Sequence, residues 1–226
     1  MFKYIEEYVD FSIRINDYIS TVMVDNGIGC EEYNYSHIWE LVKSQGVAIR
    51  GFSFEGGVNE RISGMLLQDK WETTIAFNQQ LDEKNKNFVI SHEIIHYLFH
   101  DNEKNGVFLD TQKSLQYYEP KLLMEFQANI GASIILIPDT TLICLLKKGW
   151  NIVQLSDFFG IPENTLTVRL VQMMQADLGM TFKVAKGHVD DICYEFNNKG
   201  KFIVTMLATE LENHLKQKKT VHLELF

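Results

Sequence analysis

Two histidines four residues apart inside an apolar segment limit what this chain can fold into more than any other feature. The segment is NFVISHEIIHYLFH, Asn87 to His100, with Glu93 directly after the first of the pair, His92, and three residues before the second, His96. Residues four apart on an α-helix lie about 6 Å along the axis and about 40° around it. Both imidazoles therefore share a face, and their nitrogens can reach one ion at about 2.0–2.1 Å. Val89, Ile90, Ile94, Ile95, Leu98 and Phe99 give the helix an apolar body. Burying that body takes His92, Glu93 and His96 out of water, which is costly unless a partner compensates. A zinc ion would be such a partner. In a chain with 7 histidines, chance yields an H-E-x-x-H pattern about 0.02 times, so an accidental match is the weaker reading.

Glu93 stands where a general base belongs, close enough to take a proton from a water at the ion but outside the coordination positions. Catalytic zinc usually takes three protein ligands and keeps one position open, so a third ligand is required. The downstream acids are Asp101, Glu103, Asp110, Glu119 and Glu125. Glu125 stands apart, because it lies within the apolar helix MEFQANIGASIILIP, where a carboxylate needs a reason to be. Ala128 and Ala132 give that helix a small-sided face for close approach to the histidine helix, and Asn129, one turn on, can orient a ligand. The alternative is a carboxylate that merely sits in the first turn or on the exposed side. His100 lies about 12 Å along the axis from His92, too far to share its ion. It is expected to support the site or to end the helix, where a cationic imidazole suits the helix dipole.

HEIIHYLFH followed by EFQANIGASIILIP resembles the ImmA/IrrE metallopeptidases, whose signature is an HExxHxxLH-like run and then ExxAN on an apolar helix ending in proline. The upstream GFSFEGG, ISGMLLQ and TTIAFN resemble that family's small sheet, and the likeness extends from Tyr35 to Ala176. The resemblance implies His92, His96 and Glu125 as zinc ligands, Glu93 as the base, and a zinc-dependent endopeptidase. Family members commonly act on helix-turn-helix repressors of prophages, conjugative elements or stress loci, so it also implies such a repressor as substrate. One departure is the absence beside Phe88 of the basic residue often found before the aromatic that precedes HExxH; Asn85, Lys86 and Asn87 stand there. It bears on substrate or sheet contacts and leaves the metal untouched. The rival from another class is a non-catalytic antirepressor that binds and displaces its repressor, with zinc serving as structure.

A net charge of -9 opposes non-specific attraction to nucleic acid and anionic lipid. The N-terminal MFKYIEEYVDFSIR carries acids among its apolar residues and reads as mature protein, without the basic start and cleavage site of a signal peptide. The longest apolar runs, such as Ile130 to Ile137, fall far short of the roughly 20 residues that span a bilayer. Cys30, Cys144 and Cys193 form no C-x-x-C pair. They read as buried or idle thiols of a cytoplasmic protein, with no disulfide framework and no cysteine zinc site.

The expected fold is α+β: a zincin-like core with a small antiparallel sheet and the HExxH helix, then a helical helix-turn-helix-like region, then a β-rich tail. The corresponding units are residues 1–138, 139–180 and 181–226. Helices are expected over Phe2–Val24, from Ser36 as N-cap to Lys43, and from Pro120 to Ile137. Strands are expected at Val47–Phe54, Arg61–Gln68 and Trp71–Asn78, with a polar loop over Asp101–Glu119. From Thr181 the period returns to two, and HVDDICYEF with KFIVTML reads as a hairpin around Asn197–Gly200. A short helix over Ala208–Gln217 and a strand over Thr220–Phe226 follow. Asn151 to Gln175 has the outline of a helix-turn-helix broken at Gly160-Ile161-Pro162. Its second helix offers little cation beyond Arg169, and between Asp139 and Met180 the acids outnumber Lys147, Lys148 and Arg169. Packing or protein recognition is therefore the expected role, with DNA binding the third functional reading.

Overall fold

The computed structural model describes residues 4–53, 62–100, 107–110, 123–194 and 204–216. The first helix, α1 (Ile5–Asp25), buries Tyr8, Phe11, Ile15, Ile19 and Met23 along one face, the spacing of an amphipathic helix. It ends at Gly27, whose φ of 64° closes the turn. Helix α2 (Ser36–Ser44) begins at the serine expected to cap it, but the cap position belongs to Tyr35, and the Asn34 side chain accepts from the Ser36 N–H.

Strands β1 (Val47–Phe52), β2 (Gly64–Gln68), β3 (Thr73–Asn78) and β4 (Val107–Asp110) form one sheet in the order β1-β3-β2-β4. The antiparallel expectation holds for β2 with β3 and fails for β1, while β4, which was not expected, pairs antiparallel with β2. Strand β1 lies parallel to β3, from Val47 opposite Thr73 to Phe52 opposite Asn78. Strands β2 and β3 are joined by a tight turn in which the Asp69 carboxylate accepts from the Trp71 and Glu72 N–H groups. They must pair antiparallel, and β1 takes the remaining side of β3. Residue alternation identifies strands and says nothing of their order. Strand β4 falls within the segment expected to be a polar loop, since four residues leave too short a pattern to read.

Helix α3 (Glu83–Phe99) carries the histidines and lies across β2 and β3, with α4 (Leu123–Leu136) packed on it. The close approach of the two helices depends on Ala128 and Ala132, both fully buried, and on Gly131. A Cβ at Gly131 would stand 2.4 Å from Ile95 Cδ1 and 2.5 Å from its Cγ1. Ile95 is itself fully buried, so it has no room to swing aside. Gly131→Ala is therefore expected to cost about 1–3 kcal/mol by overpacking, read as a lower midpoint in urea. Adding Ile95→Val should recover part of the loss, whereas an unchanged midpoint for the single variant would refute the contact.

Helices α5 (Asp139–Lys147), α6 (Ile152–Phe159), α7 (Glu163–Asp177) and α8 (Phe182–Tyr194) follow, and residues 204–216 form a further helix, α9. The β-rich tail is corrected here: its described part is helical. Ala185, Val189 and Ile192 are buried at a spacing of four and three, and Val204, Leu207, Ala208 and Leu211 repeat it. The apparent alternation of HVDDICYEF hid that longer period. The expected turn at Asn197–Gly200 and strand at Thr220–Phe226 lie outside the described residues. The fold is α+β, mostly helical with a small mixed sheet, around a hydrophobic cluster that runs from Tyr8 to Leu211. Among the described residues no single helix is long and apolar enough to cross a membrane.

Candidate metal centre

Asp82 caps α3, its side chain accepting from the Asn85 N–H. Every residue from Asn87 to His96 is then buried, because sheet and α4 cover opposite faces of the helix. His92 Nε2 and His96 Nε2 lie 3.0 Å apart. Helix α4 brings Glu125, in its first turn, to the same point, with Oε2 3.3 Å from His92 Nε2 and Oε1 3.6 Å from His96 Nε2. Ligand atoms at zinc distances in a tetrahedron stand about 3.4 Å apart, so the spacing fits one small ion.

The proton positions fit as well. His92 Nδ1 lies 3.0 Å from Asn129 Oδ1. An amide oxygen only accepts, so Nδ1 is the donor and Nε2 presents its lone pair. Burial, followed by the nearby His92 and His100, pushes the His96 imidazole down to about 2. It is therefore neutral at physiological pH, the form in which imidazole ligates metals. His92, His96 and Glu125 thus compose a donor set that could hold an ion.

Glu93 is fully buried. A Cβ on Gly64 of β2 would lie 3.1 Å from Glu93 Oε1 and 2.4 Å from Val89 Cγ1, so glycine lets the strand pass directly beside this carboxylate. The signal was present in ISGMLLQ as a glycine inside a strand, which marks close approach. His100 Nδ1 lies 2.9 Å from His96 Nδ1 and its Nε2 2.9 Å from Gln127 Oε1. His100 is the C-cap of α3, as expected, and burial lowers its pKa. Ahead of Phe88, the Asn87 side chain donates to the Gly160 carbonyl and the Lys84 ammonium to Ser156 Oγ and Asp157. Of the other downstream acids, Asp101, Glu103 and Glu119 lie outside the described residues.

A second cluster was not legible from spacing. Cys30 Sγ and Cys144 Sγ are 3.1 Å apart beside Glu31. Glu31 already faces the Lys148 ammonium, and burial pushes the Cys144 thiol up to about 11. A protonated thiol and an occupied carboxylate make a poor cation site.

Helices α6 and α7 are separated by Gly160 in the left-handed conformation, Ile161 and Pro162. Yet α7 faces inward. Leu166, Leu170, Met173 and Met174 are buried, and so is Arg169, whose guanidinium donates to the Ser133 and Ile137 carbonyls and to Asp139. The one cation of the second helix is thus spent on closing the end of α4.

Paired imidazoles on one helix and a carboxylate from the next form a group that could hold a metal ion, with a buried glutamate beside the first histidine. The family model described as the IrrE N-terminal-like domain, a peptidase family, matches residues 42–171. That is more than half of the chain, and the chain belongs to this family of metallopeptidase-like proteins and IrrE-like regulators. A comparison with curated proteins gives no significant match.

Proposed function

We propose that the chain is a zinc-dependent endopeptidase with a zincin-like core, and that its substrate is a helix-turn-helix transcriptional repressor. The observation that carries the enzymatic reading is the convergence of His92, His96 and Glu125 from two helices onto one point, with Glu93 buried beside His92. The repressor is what the resemblance to ImmA/IrrE proteins implies, and a cytoplasmic location is the one in which such a substrate would be met.

When bound, zinc supplies Lewis acidity at the scissile carbonyl and makes water a better nucleophile. Glu93 accepts the proton of the attacking water and delivers it to the departing amine nitrogen. Asn129 fixes the His92 ring so that Nε2 faces inward. The burial around Glu93 excludes competing water. An extended substrate segment adds to the outer edge of β4 by main-chain hydrogen bonds; β4 ends with Asp110 opposite Gly64, the residue under Glu93. The inward-facing α7 leaves this region for packing or for contact with the repressor, with no direct role on DNA.

Incubating the metal-loaded protein with candidate helix-turn-helix repressors and mapping products by mass tests this reading. A single defined cut that disappears with chelator and returns with zinc is expected. Intact repressor that is nonetheless released from its operator would favour the non-catalytic antirepressor.

A further inference from the structure

A file of hydrogen bonds leads from His96 to the N-terminal helix, and its direction can be read from chemistry alone. Glu7, in the first turn of α1, offers a carboxylate, which only accepts. The Gln127 side-chain NH2 donates to Glu7 Oε1, which turns Gln127 Oε1 toward His100 Nε2, 2.9 Å away. An amide oxygen also only accepts, so the hydrogen of neutral His100 resides on Nε2 and its Nδ1 carries a lone pair. That lone pair faces His96 Nδ1 at 2.9 Å. His96 must then donate from Nδ1, and its Nε2 is left bare and aimed at His92 Nε2 and Glu125.

We infer that Glu7, Gln127 and His100 form a positioning relay that sets the tautomer and ring orientation of His96, so that α1 helps to determine metal affinity. This rests on the reading of His92, His96 and Glu125 as metal ligands. Glu7 is separated from Gln127 by 120 residues and lies outside the matched family segment, residues 42–171. The relay therefore joins the matched segment to a helix that lies outside it. His100 packs against Phe11 of the same helix, ring centroids 6.1 Å apart, which holds its ring plane.

The test is zinc affinity of the full chain by competition with a chromophoric chelator, which needs no substrate. His100→Leu removes the acceptor for His96 Nδ1 and is expected to weaken zinc by about 10- to 100-fold, the usual effect of losing a partner behind a ligand. His100→Asn restores an acceptor oxygen near the position of Nδ1 and should recover most of that loss, which a purely space-filling residue would not. Gln127→Leu and Glu7→Leu should weaken zinc in the same direction, with the cobalt-substituted absorption spectrum altered in each. Equal affinity for wild type, His100→Leu and His100→Asn would overturn the relay while leaving the metal site standing. If wild type itself binds no zinc, the ligand reading fails first, and the two failures are distinct.

Discussion

Glu93→Gln is expected to leave metal content and melting temperature near those of wild type while cleavage of the repressor falls by about 10²–10⁴-fold, the range for loss of a general base. The substitution keeps the shape of a side chain that is fully buried, so the fold has no reason to change. Replacing a buried carboxylate by a neutral amide also removes a desolvation cost, so any shift in melting temperature should be small or upward. What disappears is the capacity to take a proton from water and return it to the leaving amine. Zinc analysis, a melting curve and a time course of product formation on the same preparation read the three quantities. Cleavage at the wild-type rate would remove Glu93 from the chemistry. Unchanged derepression without any cleavage in either protein would instead establish the binding reading.

Arg169→Met should be the most destabilising of the single substitutions considered, at about 3–5 kcal/mol, the cost of removing one partner from a buried ion pair. Arg169 is 1% exposed and Asp139 7%. Without the guanidinium, the Asp139 carboxylate keeps, among the described residues, the Asn16 side chain, which donates to its Oδ2 at 2.8 Å. The Ser133 and Ile137 carbonyls at the end of α4 lose the guanidinium as a donor, and Ser133 keeps the Ile137 N–H at 3.2 Å. Methionine fills a similar volume, so the loss measures charge and hydrogen bonds rather than a cavity. Urea unfolding monitored by circular dichroism, with metal held constant, gives the number. A cost under about 1 kcal/mol, the range of an exposed pair, would mean that Arg169 is free in solution, and the DNA reading of α7 would regain its cation.

The grouping of His92, His96 and Glu125 was legible because its signals are local. The four-residue spacing of His92 and His96 survives any tertiary arrangement, and a carboxylate in the apolar run around Glu125 signals a partner wherever the helix packs. Asn129 was reachable by the same logic, one turn further on, and lies against His92. Long-range order was not legible. Nothing in Val47–Phe52 says that it runs parallel to β3, nothing in Glu7 points to Gln127, and Cys30 gives no hint of Cys144. The tail was misread for a different reason: Val189, Ile192 and their neighbours fit two periods over a short window, and burial selected the helical one. Arg169 shows the converse. As a lone cation on a second helix it offered too little for DNA contact, so packing was expected, but its partners, 30 or more residues away, could not be named.

Metal content is the most direct check on the central claim. Elemental analysis of protein purified without added metal, beside Glu125→Ala prepared identically, should give about one zinc per wild-type chain, as expected of a three-ligand site, and a clear deficit in the variant. Wild-type protein with no bound metal, and no rise in melting temperature on titration with zinc, would contradict the account.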